Sequence, residues 1–190
     1  YGEAMGILAG DALLNLAFET AAEAFAIEVS SRTARAMQIL ARKAGIYGMI
    51  GGQVVDVESE GQPLSREKLN FIYRLKTSAL IEASMTIGAV LAGASDEELA
   101  AVERVAGDVG LAFQIQDDIL DVTSTQEELG KPIHSDEKNH KTTYVTLEGV
   151  KKAQQEVEQL SKEAVAIFDG LEEKNEFLRT LIWELVNRKK

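Results

Sequence analysis

Apolar residues recur along the chain at the three- and four-residue spacing of amphipathic helices. No segment between turn signals alternates strictly between apolar and polar residues, as a strand would. Only two prolines occur in the 190 residues, and proline is the residue that disrupts helices most. We therefore predict an all-α fold in a single domain over residues 1–190. The predicted helices cover about residues 3–28, 30–57, 65–91, 95–122, 142–168 and 174–187, with a short helix that Gly130 ends.

Polar residues mark several ends of these helices. Ser95 and Glu98 form a capping box, in which each side chain satisfies a backbone N–H of the other residue. Residues 58–63 (ESEGQP) are typical of a turn, and Gly149 can break the helix over 142–168. Residues 131–141 (KPIHSDEKNHK) form one long polar loop.

Glycine recurs inside the predicted helices, where each glycine costs about 1 kcal/mol relative to alanine. This cost is understandable where two helices approach closely or where a ligand needs room, and tight helix packing alone is the alternative. The glycines concerned are Gly6, Gly10, Gly45, Gly48, Gly51, Gly52, Gly88, Gly107 and Gly110.

The composition excludes several classes of partner and site. Thirty-one Asp and Glu against 20 Lys and Arg give a net charge of −11, which argues against nucleic acid and anionic membranes as main partners. The absence of cysteine excludes disulfides, thiolate metal sites and a cysteine nucleophile. No long uncharged apolar run occurs, so we predict no membrane-spanning segment. No signal peptide precedes the helix-like start at Tyr1, so we expect a cytoplasmic protein and a chain that begins within a longer one.

A stripe of polar residues on one helix carries the strongest chemical signal. At about 100° per residue, Gln114, Asp117, Asp118 and Asp121 fall on one side of a mostly apolar helix. Three carboxylates in such a place repel one another and lose hydration, so they need a compensating cation. Oxygen ligands select a hard ion, Mg²⁺ before Ca²⁺, which completes its coordination with water and phosphate oxygens. The stripe predicts a metal-bridged diphosphate site, and a solvated acidic face at a helix end is the alternative.

Two further polar pairs interrupt predicted helices. Gln53 and Asp56 lie near a helix C-terminus, where a carboxylate is unfavourable; a nearby ligand or metal is one interpretation, and a simple surface pair is the other. Lys76 and Thr77 interrupt an apolar stretch. Beside a carboxylate–metal cluster this second pair would contact a phosphate, whereas otherwise Lys76 merely extends its ammonium group into solvent.

The polar loop supplies additional candidates. Lys131 and Lys141 flank it, and a loop so close to the carboxylate helix can fold both cations over anything bound to Asp117 and Asp121. Asp136 in the same loop can add a further oxygen ligand.

Five motifs occur in order along the chain. They are GQxxD at 52–56, KT at 76–77, FQxxDDxxD at 113–121, GK at 130–131 and KTTY at 141–144. The series resembles the trans-prenyl diphosphate synthases, particularly the bacterial short-chain farnesyl and geranylgeranyl diphosphate synthases. The resemblance covers essentially the whole chain, whose opening residues look like the segment that follows the family's first aspartate-rich motif.

The chain departs from the family pattern in two places. The family carries two DDxxD motifs, and this chain has only the second, because its motif follows Lys76 and Thr77. About the first third of a typical family member is therefore expected to be absent, with its upstream basic residues and the positions that set product length. His134 stands where the family often has glycine, so we expect the loop before Asp136 to close differently.

The resemblance implies a bundle of long helices around a central cavity, usually in a homodimer. Such enzymes condense isopentenyl diphosphate head to tail with dimethylallyl or geranyl diphosphate, while Mg²⁺ ions and lysines neutralise the departing diphosphate. The implied metal residues are Asp117, Asp118, Asp121, Asp136 and Asp56. The implied substrate-binding residues are Lys76, Thr77, Gln53, Gln114, Lys131 and Lys141. The implied catalytic residues are Lys76, Thr77, Gln114, Asp117, Lys131 and Lys141.

Alternative functions differ in the motifs that they require. The ending LVNRKK (185–190) looks like farnesyl-type bacterial members, and geranylgeranyl diphosphate is the alternative product. A terpene cyclase of the same fold generally uses a different second metal motif. A non-catalytic helical partner subunit tends to lose the aspartates that this chain keeps. We expect the 190 residues alone to be inactive, because their carboxylates would lie on only one side of the leaving diphosphate.

Overall fold

The computed structural model describes residues 1–130, 133, 136, 141–173 and 175–188. Within these residues the secondary structure is helical, without a strand, as the sequence predicts. The helices are α1 (Glu3–Ile27), α2 (Ser31–Ala44), α3 (Met49–Glu58), α4 (Arg66–Tyr73), α5 (Ala79–Ala92), α6 (Asp96–Thr123), α7 (Gln126–Leu129), α8 (Tyr144–Glu148), α9 (Val150–Asp169) and α10 (Glu176–Asn187).

The helix α6 is the centre of the fold. It begins with the predicted capping box: the Glu98 N–H donates to Ser95 Oγ at 3.2 Å, and the Ser95 N–H donates to Glu98 Oε2 at 2.8 Å. It packs mainly against α9 and α5. Its apolar side contributes to two core clusters, one that contains Ile115 and one that contains Val109. The side chains of Ile115 and Val109 are almost completely buried.

A π-helical turn, Arg74–Ser78 (the π-turn), joins α4 to α5 in one continuous helix. Ser65 caps the start of this continuous helix by accepting a hydrogen bond from the Lys68 N–H at 3.3 Å, and Gly93 ends the helix with a φ of 87°. This turn packs closely against α3 on one side and α6 on the other. A Cβ added at Gly52 of α3 would lie 2.4 Å from the Lys76 backbone nitrogen. A Cβ added at Gly110 of α6 would lie 2.4 Å from Ser78 Oγ. The two glycines therefore explain how α3 and α6 reach the π-turn.

Two predicted helices are interrupted. The helix expected over 30–57 is wrong as a single element, because α2 ends at Ala44 and α3 starts at Met49. A Cβ at Gly48 would lie 1.9 Å from the Lys43 carbonyl oxygen, so glycine is needed where the chain turns. The break at Gly149 is confirmed, with a φ of 82° between α8 and α9.

The helix α1 leaves its apolar residues uncovered. None of its 25 residues is buried, and it packs mainly against α2. The exposed apolar side chains include Met5, Ile7, Leu8, Leu13 and Leu16.

The continuous helix Arg66–Ala92 is long and apolar enough to cross a membrane by length and composition, a test that core helices of soluble proteins also pass. The sequence pattern predicts no such segment. In this fold the helix packs against α3 and α6, and the Lys76 ammonium in its middle pairs with Asp56.

Candidate functional site

Polar side chains from four segments line one cleft of about 260 Å³. The segments are α3, the helix α4 with its π-turn, α6, and the chain leading into α8. The lining residues are Asp56, Leu69, Ile72, Tyr73, Lys76, Gln114, Asp117, Asp118, Asp136, Lys141, Thr142 and Thr143.

The π-turn places Lys76 in the lining of this cleft, whereas Thr77 does not line it but contacts the lining residue Gln114. The Lys76 ammonium donates to Asp56 Oδ2 at 2.6 Å, and the Thr77 hydroxyl donates to Gln114 Oε1 at 2.8 Å. The two adjacent residues thus reach α3 and α6 respectively. The predicted KT pair therefore joins the carboxylate helix to the second polar pair of the sequence.

Asp56 gathers two lysines that are 65 residues apart in the chain. Its Oδ2 accepts from Lys76 at 2.6 Å and from Lys141 at 3.5 Å. Burial alone would raise the pKa of Asp56, but the hydrogen bond and charge of Lys76, with the charge of Lys141, lower this pKa overall. Gln53, one turn earlier on α3, is exposed and does not line the cleft.

The predicted stripe on α6 divides into residues with different surroundings. Gln114, Asp117 and Asp118 line the cleft, whereas Asp121 is buried and does not. Asp121 Oδ2 instead accepts from the Asp136 N–H at 3.3 Å, and Asp136 itself lines the cleft. Within the described part of the chain, no three Asp, Glu or His side chains come close enough together to hold a metal ion by themselves.

Asp118 is the most buried carboxylate of the stripe, with 3% exposure. Its Oδ2 accepts from the Tyr73 hydroxyl at 2.6 Å and from the Tyr144 N–H at 2.8 Å. Burial raises the pKa of Asp118 to about 7, although these two hydrogen bonds and a third from Gln114 lower it. Burial and the neighbouring Asp118 carboxylate also raise the pKa of the Tyr73 hydroxyl.

Arg188, near the end of α10, contacts the neighbouring carboxylate. Its Nη2 donates to Asp117 Oδ1 at 2.9 Å, and its guanidinium lies 3.8 Å from the centre of the Phe113 ring. Its carbonyl accepts from Gln116 Nε2 at 3.1 Å. Sequence reasoning missed this residue, since Arg188 is 71 positions from Asp117 and no periodicity relates them.

Tyr73 is the other residue that the sequence analysis missed. Its position in an apolar stretch is typical of a core residue, and only its place three residues before Lys76 could have drawn attention to it. The predicted site residue Lys131 lies outside the described residues, and so does His134, which is expected to change how the loop closes.

Comparison with known proteins agrees with the motif series. The sequence model of the polyprenyl synthetase family matches residues 1–181. The chain is 44% identical to a heterodimeric geranylgeranyl pyrophosphate synthase large subunit of Arabidopsis thaliana over 86% of the chain and 46% of that protein. It is 42% identical to a farnesyl diphosphate synthase of Geobacillus stearothermophilus over 77% of the chain and 50% of that protein.

A crystal structure of a geranyltransferase from Helicobacter pylori, complexed with magnesium and isoprenyl diphosphate, superposes with a TM-score of 0.81 at 35% identity. The superposition covers 98% of this chain and 61% of that one. This chain spans about half the length of the curated relatives that it matches. With nearly its whole length matched by the family's sequence model, the chain belongs to the polyprenyl synthetase family.

Proposed function

We propose that the protein is a short-chain trans-prenyl diphosphate synthase that condenses isopentenyl diphosphate with dimethylallyl or geranyl diphosphate to give farnesyl diphosphate. The observation that carries this proposal is the meeting of Lys76 and Lys141 at one cleft with Asp117 and Asp136. Two ammonium groups and two accessible carboxylates in one cleft suit a doubly charged anion bridged by a divalent cation. Membership of the polyprenyl synthetase family supports the same reaction.

The described residues of the cleft offer some of the ligands that Mg²⁺ needs, but not a complete set. Asp117 and Asp136 would hold the ion, since both line the cleft and both offer carboxylate oxygens. Because no described trio of carboxylates can enclose a metal, the remaining ligands would be water and diphosphate oxygens, as is usual for Mg²⁺. When bound, the ion would neutralise charge on the departing diphosphate.

Side chains of the cleft, with Thr77 beside it, would act on the two ends of the breaking bond. In the reaction the allylic C–O bond breaks and the diphosphate leaves with the electron pair. The isopentenyl double bond then forms a C–C bond to the allylic cation, and the resulting cation loses a proton to the released diphosphate. Lys76 and Lys141 would bind the departing diphosphate and favour its release. Thr77, oriented by Gln114 at 2.8 Å, would place its hydroxyl oxygen on the side of the developing cation.

The product and the partner belong to the same proposal. Relatives are named both farnesyl and geranylgeranyl synthases, and we propose farnesyl diphosphate, with geranylgeranyl diphosphate as the alternative. We propose a homodimer; one relative is named as the large subunit of a heterodimer, so a helical partner subunit is the alternative role. The chain length of the products made by an active form of the protein would distinguish farnesyl from geranylgeranyl diphosphate. Mass determination, for the chain alone and after mixing with a partner, would distinguish the homodimer from the heterodimer.

The test of the proposal is ligand binding, because we expect the 190 residues alone not to turn over. Isothermal titration calorimetry measures the binding of three ligands to the protein, each with and without Mg²⁺. The ligands are geranyl diphosphate, geranyl monophosphate and inorganic diphosphate. We expect the two diphosphates to bind in the presence of Mg²⁺, and the monophosphate to bind much more weakly. Equal binding of the monophosphate, or no binding of either diphosphate, would contradict the proposed function.

A further inference from the structure

A largely buried hydrogen-bond network forms part of the wall of the cleft. Its centre is Asp118, whose Oδ2 receives the Tyr73 hydroxyl and the Tyr144 N–H. Gln114 extends the network, because it also hydrogen-bonds to Asp118 and accepts from Thr77 at 2.8 Å. Tyr73, Asp118 and Tyr144 are 7%, 3% and 2% exposed, so water does not compete for these bonds.

Tyr73, Asp118 and Tyr144 are each close in sequence to a charged residue of the cleft. Tyr73 precedes Lys76 by one helical turn, Asp118 follows Asp117 directly, and Tyr144 begins α8 three residues after Lys141. The network therefore ties together the three chain segments that carry two lysines and a carboxylate into one cleft. A change at its centre would shift those three groups relative to one another.

The surroundings of Asp117 and Asp118 differ in a way that matters for a metal. The Asp117 side chain is 32% exposed, whereas Asp118 is buried and one of its oxygens already accepts two hydrogen bonds from the protein. Mg²⁺ is reluctant to lose its water and usually keeps several water ligands. The exposed carboxylate suits such a hydrated ion, and the buried one does not.

We propose that Asp118 is a positioning residue which, with Tyr73, fixes Lys76 and Lys141 relative to Asp117, and that it is not itself a metal ligand. This role rests on the proposed function, since it concerns the geometry of a diphosphate site. It would reassign the second aspartate of the motif from metal binding to the support of the residues that bind.

Substitution by asparagine separates the two roles. Asp118→Asn keeps an oxygen that can accept from both Tyr73 and Tyr144, but it loses the hydrogen bond from Gln114 and the negative charge of a metal-binding carboxylate. We expect its affinity for inorganic diphosphate with Mg²⁺ to stay within about threefold of the wild-type value. Asp117→Asn should lower the same affinity by about tenfold or more, because it removes the charge that would hold the ion.

A second pair of variants tests the tyrosine. Tyr73→Phe removes only the hydroxyl donor, and we expect it to weaken diphosphate binding by about fivefold. Tyr47→Phe is the matched control, because Tyr47 is 69% exposed and lies away from the cleft lining, and we expect no change. Circular dichroism is recorded for every variant, and affinities are measured at a temperature where each variant is folded.

The outcomes are distinguishable. If Asp118→Asn loses Mg²⁺-dependent binding as severely as Asp117→Asn, Asp118 is a metal ligand and the inference is wrong. If Tyr73→Phe behaves like Tyr47→Phe, the tyrosine does not position the cleft, and that part of the inference is wrong. If the wild-type chain itself does not bind diphosphate with Mg²⁺, the proposed function fails, and the positioning role fails with it.

Discussion

At the scale of single residues, the cleft is organised by charges that compensate one another. Asp56 holds Lys76 at 2.6 Å and Lys141 at 3.5 Å, so two ammonium groups share one carboxylate. A site of this kind is ready for an anion, because the second ammonium group is only partly neutralised. Lys76 and Asp56 are both candidate site residues from the sequence, but they are 20 positions apart and no sequence pattern predicts their contact.

Replacing Lys76 tests the anion site. We expect Lys76→Ala to weaken binding of inorganic diphosphate with Mg²⁺ by about tenfold to a hundredfold, because a charge-assisted hydrogen bond is lost. Lys68→Ala is the matched control, since Lys68 lies on the same continuous helix, is exposed and is absent from the cleft lining. Calorimetric titration measures both; equal losses in the two variants would refute a specific role for Lys76.

Replacing Arg188 tests whether its guanidinium competes with a cation. Since Arg188 donates to Asp117 Oδ1 at 2.9 Å, a metal at Asp117 would have to displace it or share that oxygen. We expect Arg188→Ala to tighten Mg²⁺ binding in the absence of diphosphate by about fivefold, which corresponds to the loss of one ion pair. Arg179→Ala is the control, because it breaks the comparable Arg179–Asp169 pair elsewhere on the surface. Unchanged or weaker Mg²⁺ binding in Arg188→Ala would contradict this.

At the scale of elements, the π-turn is the feature that converts helix packing into a site. Gly52 and Gly110 allow α3 and α6 to touch this turn, and the turn places Lys76 and Thr77 toward those two helices. The sequence predicted close approach at glycines inside helices, and at these two positions the prediction is confirmed. At Gly6, Gly10 and Gly88 a Cβ would meet nothing within 4 Å.

A glycine-to-alanine pair tests this packing. Gly110→Ala would place a Cβ 2.4 Å from Ser78 Oγ and 2.6 Å from Ser78 Cα, so we expect the free energy of unfolding to fall by about 1–3 kcal/mol. Gly88→Ala, in an exposed position of α5 with open space around it, should instead gain up to about 1 kcal/mol from helix propensity. Urea unfolding measures both values. A Gly110→Ala variant as stable as Gly88→Ala would show that the contact is not tight.

Local chemistry explains which elements the sequence could predict. The box at Ser95 and the break at Gly149 depend on a few neighbouring residues, and both are confirmed. The break between α2 and α3 was missed because helical spacing of apolar residues continues through Gly45 and Gly48. The Tyr73–Asp118 bond and the Arg188–Asp117 pair were missed because they join residues 45 and 71 positions apart, where only the tertiary fold decides.

At the scale of the whole molecule, exposed large apolar side chains occur together on three of the described helices, α1, α3 and α10. Leu8 and Leu13 of α1 are 58% and 69% exposed, and Val54 and Val57 of α3 are 49% and 53% exposed. Exposed apolar surface of this extent favours association. The proposed homodimer is one way to cover it.

Charged substitutions on α1 test this expectation. We expect the wild-type chain to associate in solution, and Leu13→Glu/Leu16→Glu to shift it toward the monomer. Gln154→Glu/Gln155→Glu is the matched control, since it adds the same two charges at exposed positions of α9. Light scattering coupled to size-exclusion chromatography measures the masses. A monomeric wild-type chain, or an equal shift in the control, would contradict a role for α1.

The central claim is that one cleft of this chain binds a divalent cation and a diphosphate together. Because carboxylates and lysines face each other there, each ligand should strengthen the binding of the other. The most direct measurement is the shift in melting temperature caused by Mg²⁺ alone, by inorganic diphosphate alone, and by both. We predict that the shift with both ligands exceeds the sum of the two separate shifts. A shift that merely equals that sum, or no shift with both ligands present, would contradict the claim.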